Sequence, residues 1–123
     1  MSDLYRDIII DHYKHPRNVG ELADAKIHGH EDNLMCGDSV DIYISFNDHG
    51  VASDIKWTGE GCALSQASAS LLSDMLRGKT REEIAQISEH DILEVVGTSL
   101  NPSRQACATL SVHALHKGLK ANI

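Results

Sequence analysis

No apolar run in this sequence approaches the ~20 residues that a membrane-crossing helix needs. The first residues, Met1-Ser2-Asp3-Leu4-Tyr5-Arg6-Asp7, lack the basic-then-apolar layout of a secretory leader. A cytoplasmic location is the default expectation. Basic side chains are in deficit, 11 against 18 acidic ones, for a formal net charge of -7. That balance argues against a general binder of phosphate backbones, which needs a basic face, so neither nucleic acid nor membrane is an expected partner. Linkers, internal repeats and low-complexity tracts are missing, so residues 1–123 read as a single domain, long enough to close a core without staples. Aromatic residues are few, and Tyr13 and Trp57 are read as core or interface residues rather than cofactor contacts. Gly59-Glu60-Gly61 lacks the Lys-Ser/Thr and third Gly of a phosphate loop.

The chain has three cysteines, an odd number that cannot all pair. In a reducing compartment this points away from a disulfide framework, and either to metal or thiol chemistry or to buried apolar Cys.

Periodicity outlines the elements. Leu4, Ile8 and His12, with Tyr5, Ile9 and Tyr13, give helical stripes over 3–14, stopped by Pro16. Residues 25–30 read as a short strand and 31–38 as loop. Residues 40–46 and 51–58 alternate with period two around Asn47-Asp48-His49-Gly50, which predicts a hairpin, broken at Gly59-Glu60-Gly61. Residues 62–77 predict a helix with Leu64, Leu71, Leu72, Met75 and Leu76 inward and Gly78 at its C-terminal cap. Thr80-Arg81-Glu82-Glu83 is a capping-box pattern. Residues 88–96 form a further helix ended by Gly97, 98–102 a loop, and Ser103 the N-cap of a last helix over 104–117. A helix, then strands, then helices indicates α+β with an antiparallel sheet.

Each cysteine falls at a boundary. Cys36 lies in the loop Met35-Cys36-Gly37-Asp38, Cys62 opens a helix, and Cys107 is placed near the first turn of the last one. A thiol at a helix N-terminus has its pKa lowered by the dipole. Gly37 lets Cys36 and Asp38 face one point. Three thiolates and a carboxylate would suit tetrahedral Zn²⁺ or the irons of a small cluster. The spacing is not that of a CxxC finger, so on spacing alone a shared metal site and unrelated cysteines both stand. A carboxylate suits an iron–sulfide unit less well than a fourth Cys, which predicts a cluster that is easily released. The eight His are read as structural: His28/His30, His113/His116 and His12/His15 can share faces, but none completes a catalytic motif. Arg104, nearly one turn before Cys107, reads either as a charge that stabilises a thiolate there or as a solvated surface side chain.

These residues resemble the U-type iron–sulfur cluster assembly scaffolds, the family of IscU, SufU and the N-terminal domain of NifU, over nearly the whole chain. The similarity runs through Leu4-Tyr5-Arg6-Asp7-Ile8-Ile9-Ile10-Asp11-His12-Tyr13 and His15-Pro16-Arg17-Asn18-Val19-Gly20. It continues through Asn33 with Cys36-Gly37-Asp38, then Gly61-Cys62-Ala63, then Arg104-Gln105-Ala106-Cys107-Ala108-Thr109-Leu110. The resemblance implies a three-stranded antiparallel sheet with helices packed on one side, and Cys36, Asp38, Cys62 and Cys107 as ligands at one exposed tip. It implies a scaffold or sulfur acceptor rather than a stand-alone enzyme: persulfide sulfur arrives from a cysteine desulfurase, a transient [2Fe–2S] cluster is built, and apo iron–sulfur acceptor proteins take it. Cys36, on a loop, is preferred over helix-borne Cys107 as first acceptor. The alternative is a zinc-dependent sulfurtransferase of SufU type with Zn²⁺ in the same site. Gly59-Glu60-Gly61-Cys62 resembles the SufU branch, yet that branch's insertion between the second and third cysteines is missing. Ala106 stands where IscU has His, and Leu100-Asn101-Pro102-Ser103-Arg104 replaces its Leu-Pro-Pro-Val-Lys segment, which argues against delivery by the specialised Hsp70-type chaperone.

Overall fold

Alternation in the middle of the sequence builds the sheet that organises the molecule. In the computed structural model, which describes residues 3–96 and 100–121, strands β1 (Ile27–Asn33), β2 (Asp38–Phe46) and β3 (Ala52–Glu60) pair antiparallel in the order β1-β2-β3. One face buries Ile27, Val40, Ile42, Ile44, Ile55 and Trp57. The other carries His28, His30, Asp41 and Lys56. The period of two also puts Asp38 on the core face, at the very end of β2.

Helices cover the apolar face: α1 (Asp3–Lys14), α2 (Ala63–Leu76), α3 (Arg81–Ala85), α4 (Glu89–Val96), α5 (Pro102–Ala108) and α6 (Leu110–Ala121). The expected α+β fold, a three-stranded antiparallel sheet with helices on one side, is the fold observed. Each fully buried Leu or Ile on this face contributes about 1.5–3 kcal/mol relative to exposure. α6 crosses β1 at a glycine pair. A Cβ on Gly29 would lie 1.8 Å from the Ala114 carbonyl oxygen, and one on Gly118 would lie 2.9 Å from the Gly29 Cα. Only hydrogen fits between these backbones.

The N-terminal helix is fastened by polar contacts. His12, buried, has Nδ1 2.8 Å from Ser70 Oγ on α2, and the Arg17 amide donates to the same oxygen at 2.9 Å. The Trp57 indole N–H donates to the Arg17 carbonyl at 2.6 Å. Gly78, at φ +81°, closes α2, and the Thr80–Glu83 capping box opens α3 with both of its hydrogen bonds made.

Several boundaries differ from the sequence-based expectation: β1 starts at Ile27, β2 already at Asp38, and the last helix runs on to Ala121. β1 runs on through Asn33 because Glu31, Asp32 and Asn33 pair with Val40, Ser39 and Asp38; partner strand, not composition, makes them extended. β3 keeps Gly59 and Glu60, which pair with Val40 and Ser39. Asn101, not Ser103, caps α5, its Oδ1 accepting the Arg104 amide at 2.9 Å, with Pro102 in the first turn. The last helix is two, divided at Thr109 (φ −101°, ψ 2°), whose hydroxyl bends back to the Gln105 carbonyl at 2.9 Å. Gly97 and the loop residues 98–99 lie outside the described residues. None of the described helices is long and apolar enough to cross a membrane.

Candidate metal and sulfur site

Three segments meet at one end of the sheet. The first is the β1–β2 turn. Asn33 organises it: its side-chain oxygen accepts the Met35 amide at 3.2 Å and its carbonyl accepts the Cys36 amide at 3.2 Å. Gly37, at φ +70°, then reverses the chain into β2. The turn holds Leu34, Met35 and Cys36 out in solvent, with Met35 96% exposed.

Asp38 follows and points the other way, 2% exposed. Its Oδ1 accepts the Cys62 amide at 2.7 Å, and its Oδ2 lies 3.4 Å from Cys62 Sγ. Cys62 is the N-cap residue of α2 and makes no side-chain cap bond of its own. The carboxylate of Asp38 therefore caps α2 from another element, where the helix dipole favours negative charge. Gly61 makes the approach possible. It sits at φ +122°, and a Cβ there would lie 1.9 Å from Asp38 Oδ1. In the sequence Gly61 reads only as part of the strand break Gly59-Glu60-Gly61; the signal for its second role is a glycine directly before a cysteine that opens a helix.

The third segment is α5. Cys107 stands next to last in it, buried, with Sγ 3.3 Å from Cys36 Sγ. This corrects the expectation of a thiol in the first helical turn with a lowered pKa. Burial pushes the Cys107 thiol up, and the neighbouring Cys36, Cys62 and Asp38 push it further.

The ligand atoms of Cys36, Asp38 and Cys107 all lie within 4.8 Å of one another, the one group of three such ligands among the described residues. Zn–S bonds of ~2.3 Å put tetrahedral donors ~3.8 Å apart, so this spread fits a single ion. Soft sulfur with one hard oxygen also suits zinc or iron, and a cation would relieve the crowding of acidic groups. Cys62 stands just outside the three, against the Asp38 carboxylate. Cys36, Cys62 and Cys107 line one cavity of about 400 Å³ with Ala63, Leu64, Ser103 and Arg104. Arg104 is exposed at its rim, and among the described residues its guanidinium has no carboxylate partner. The histidines stand elsewhere. His28 Nε2 and His30 Nδ1 each lie 2.7 Å from Asp41 on the outer sheet face, and His113 pairs with Glu89 at 2.8 Å.

Comparison with known proteins finds similar sequences over most of the chain. IscU 2 of Archaeoglobus fulgidus, an iron–sulfur cluster assembly scaffold protein, is 36% identical over 94% of this chain and 74% of its own. SufU of Bacillus subtilis, a zinc-dependent sulfurtransferase, is 37% identical over 97% of this chain and 91% of its own. That alignment spans 136 positions, more than the 123 residues present here, so SufU carries extra residues within it. The crystal structure of FiSufU from Fervidobacterium islandicum AW-1, described as a cluster assembly scaffold for the SUF system, superposes with a TM-score of 0.76 at 27% identity, covering 97% of this chain and 96% of that one. The NifU-like N terminal domain family matches residues 4–122. With three cysteines and an aspartate brought to one end of an α+β domain, the chain belongs to the NifU-like N-terminal domain family, the U-type scaffolds of iron–sulfur cluster assembly.

Proposed function

We propose that this protein is an iron–sulfur cluster assembly scaffold. It takes sulfur from a cysteine desulfurase, builds a transient [2Fe–2S] cluster on Cys36, Asp38, Cys62 and Cys107, and passes that cargo to apoproteins. The observation that carries the reading is the convergence of Cys36, Asp38 and Cys107 within 4.8 Å at an edge where Cys36 is exposed.

Sulfur acceptance is thiol exchange. The Cys36 thiolate attacks the outer sulfur of the desulfurase persulfide. The sulfur–sulfur bond on the desulfurase breaks, its cysteine leaves as thiolate, and the sulfur remains on Cys36 as a persulfide. Cys36 suits the step because it sits on a solvent-facing turn, while Cys107 is buried. Arg104 at the cavity rim supplies positive charge for the anionic persulfide. Asp38 gives the assembled cargo one oxygen ligand, a poorer partner for iron–sulfide than a fourth thiolate, which favours release.

A second reading is supported by the likeness to the zinc-dependent SufU over almost the whole chain. Here Cys36, Asp38, Cys62 and Cys107 would hold Zn²⁺, whose charge would favour their thiolate forms, and the protein would relay sulfur without building a cluster. Anaerobic incubation with iron, cysteine and a desulfurase, followed by visible absorption and by transfer to an apo-acceptor, separates the two. The scaffold gains colour and activates the acceptor. A colourless protein that keeps stoichiometric zinc rejects the scaffold in favour of the relay.

A further inference from the structure

Two of the three thiols are not merely near one another. Cys36 Sγ and Cys107 Sγ are 3.3 Å apart, inside van der Waals contact, while Cys62 Sγ is engaged with the Asp38 carboxylate at 3.4 Å. One thiol of the pair is exposed on a turn and the other is buried on a helix. The cavity they share has room for an additional sulfur atom.

We infer that Cys107 is the resolving thiol for a persulfide on Cys36, so that the protein itself reduces sulfane sulfur to sulfide. The inference rests on the proposed acceptance of sulfur at Cys36 and adds what happens next. Cys107 attacks Cys36 Sγ as its proton passes to the outer sulfur of the persulfide, so that the raised pKa of the Cys107 thiol need not be met by a separate ionisation, and a Cys36–Cys107 sulfur–sulfur bond forms. The bond between Cys36 Sγ and the outer sulfur breaks, and that sulfur leaves with the bonding electron pair as hydrosulfide. The proton of the Cys107 thiol accompanies it. The thiol pair supplies two electrons by becoming a disulfide, so the step needs no outside reductant. Contact geometry favours Cys107 over Cys62 for this role, and the Asp38 contact leaves Cys62 out of the exchange. A metal ion held by both thiols blocks the reaction, which confines it to the metal-free protein. Return to the dithiol form requires a reducing thiol, such as a dithiol reductase.

The test uses the metal-free protein, a cysteine desulfurase and cysteine, without iron or reductant. Hydrosulfide is trapped colorimetrically, and cysteine states are mapped by alkylation and peptide mass. The expected result is hydrosulfide and Cys36–Cys107 disulfide in equal amounts, with Cys62 still alkylatable. Cys107→Ser should accumulate persulfide on Cys36 and release hydrosulfide about tenfold more slowly or worse. A parent protein that keeps a stable Cys36 persulfide overturns the inference, as does a disulfide that includes Cys62. The disulfide map is read on the unaltered protein, so it does not depend on a variant's folding. A second arm replaces the desulfurase with inorganic polysulfide. If the desulfurase loads no sulfur on Cys36 but polysulfide gives Cys107-dependent release, sulfur acceptance fails and the resolving pair stands. If Cys36 is loaded in either arm and Cys107→Ser changes nothing, the resolving pair fails and acceptance stands.

Discussion

At the scale of single residues, Asp38 has two jobs that substitutions can separate. It is a candidate ligand, and it accepts the amide that opens α2. Asp38→Ala removes both, leaving a partly buried N–H without its partner, at a cost of about 1–3 kcal/mol. Asp38→Asn keeps an oxygen for the amide and loses only the charge. Urea unfolding should therefore place Asn near the parent and Ala well below it, while a zinc competition titration should show both weakened. Equal midpoints for Ala and the parent would remove the anchoring role. Gly61→Ala tests the same atom from the other side. Its Cβ would meet Asp38 Oδ1 at 1.9 Å on a backbone that L side chains rarely adopt, so the carboxylate must swing away. Zinc affinity should fall at least as far as in Asp38→Ala. An unchanged affinity in Gly61→Ala would mean the observed carboxylate position is not the binding one. The residues of the cluster were legible in Cys36-Gly37-Asp38 and in the family likeness. The amide anchor was not, because it joins two segments distant in sequence, and spacing carries no information about such a contact.

At the scale of elements, α1 is held to α2 through a buried histidine whose charged form the fold disfavours. Burial lowers the His12 pKa, the nearby Arg17 charge adds to this, and Asp11 and Asp74 oppose it. The folded state thus binds fewer protons than the unfolded chain just below the ordinary imidazole value of ~6.5. Stability from this site is present above that value and declines as pH falls towards the lower folded pKa. The loss should appear first in α1. Protection of the amides of residues 5–14, corrected for the intrinsic exchange rate, should fall as pH drops below ~6.5 more than that of β2, and His12→Gln should flatten the pH dependence. A pH-independent α1 would show that His12 does not govern its docking. The crossing of α6 over β1 makes a second, pH-independent demand. Gly29→Ala forces the helix off the strand, and overpacking of this kind costs about 1–3 kcal/mol, read as a lower urea midpoint at constant slope. Elements with strong periods, α1, α2 and the β2–β3 hairpin, were readable from the sequence because their burial is one-sided. β1 was readable only in part: His28, Gly29, His30 and Glu31 are poor strand formers that β2 pairing holds extended. The division at Thr109 was hidden because the buried positions Cys107, Leu110 and Ala114 keep helical spacing across it.

At the scale of the whole molecule, the architecture puts the stable part and the reactive part at different places. The sheet and the helices over it form a continuous aliphatic core, while the ligand cluster is a junction of a turn, a helix start and a helix end at its border, where Cys107 belongs to both. Three separate segments meeting at one ion should behave as a cross-link. Zinc added to the metal-free protein should raise the unfolding midpoint, by about 4 kcal/mol when free zinc is a thousandfold above its dissociation constant. The accompanying protection should be local. Amide exchange should slow at residues 34–38, 61–64 and 103–107, with little change in residues 40–46, whose opening is already governed by the core. The same measurement settles the fourth ligand. Cys62 lies outside the tight group of three, yet it borders the cavity and touches Asp38. If it completes the coordination, Cys62→Ser should lose most of the zinc-dependent shift, as Cys36→Ser and Cys107→Ser do. If Cys62→Ser keeps the full shift, the ion is held by two thiolates and a carboxylate, and the fourth position is open to solvent or to an incoming sulfur.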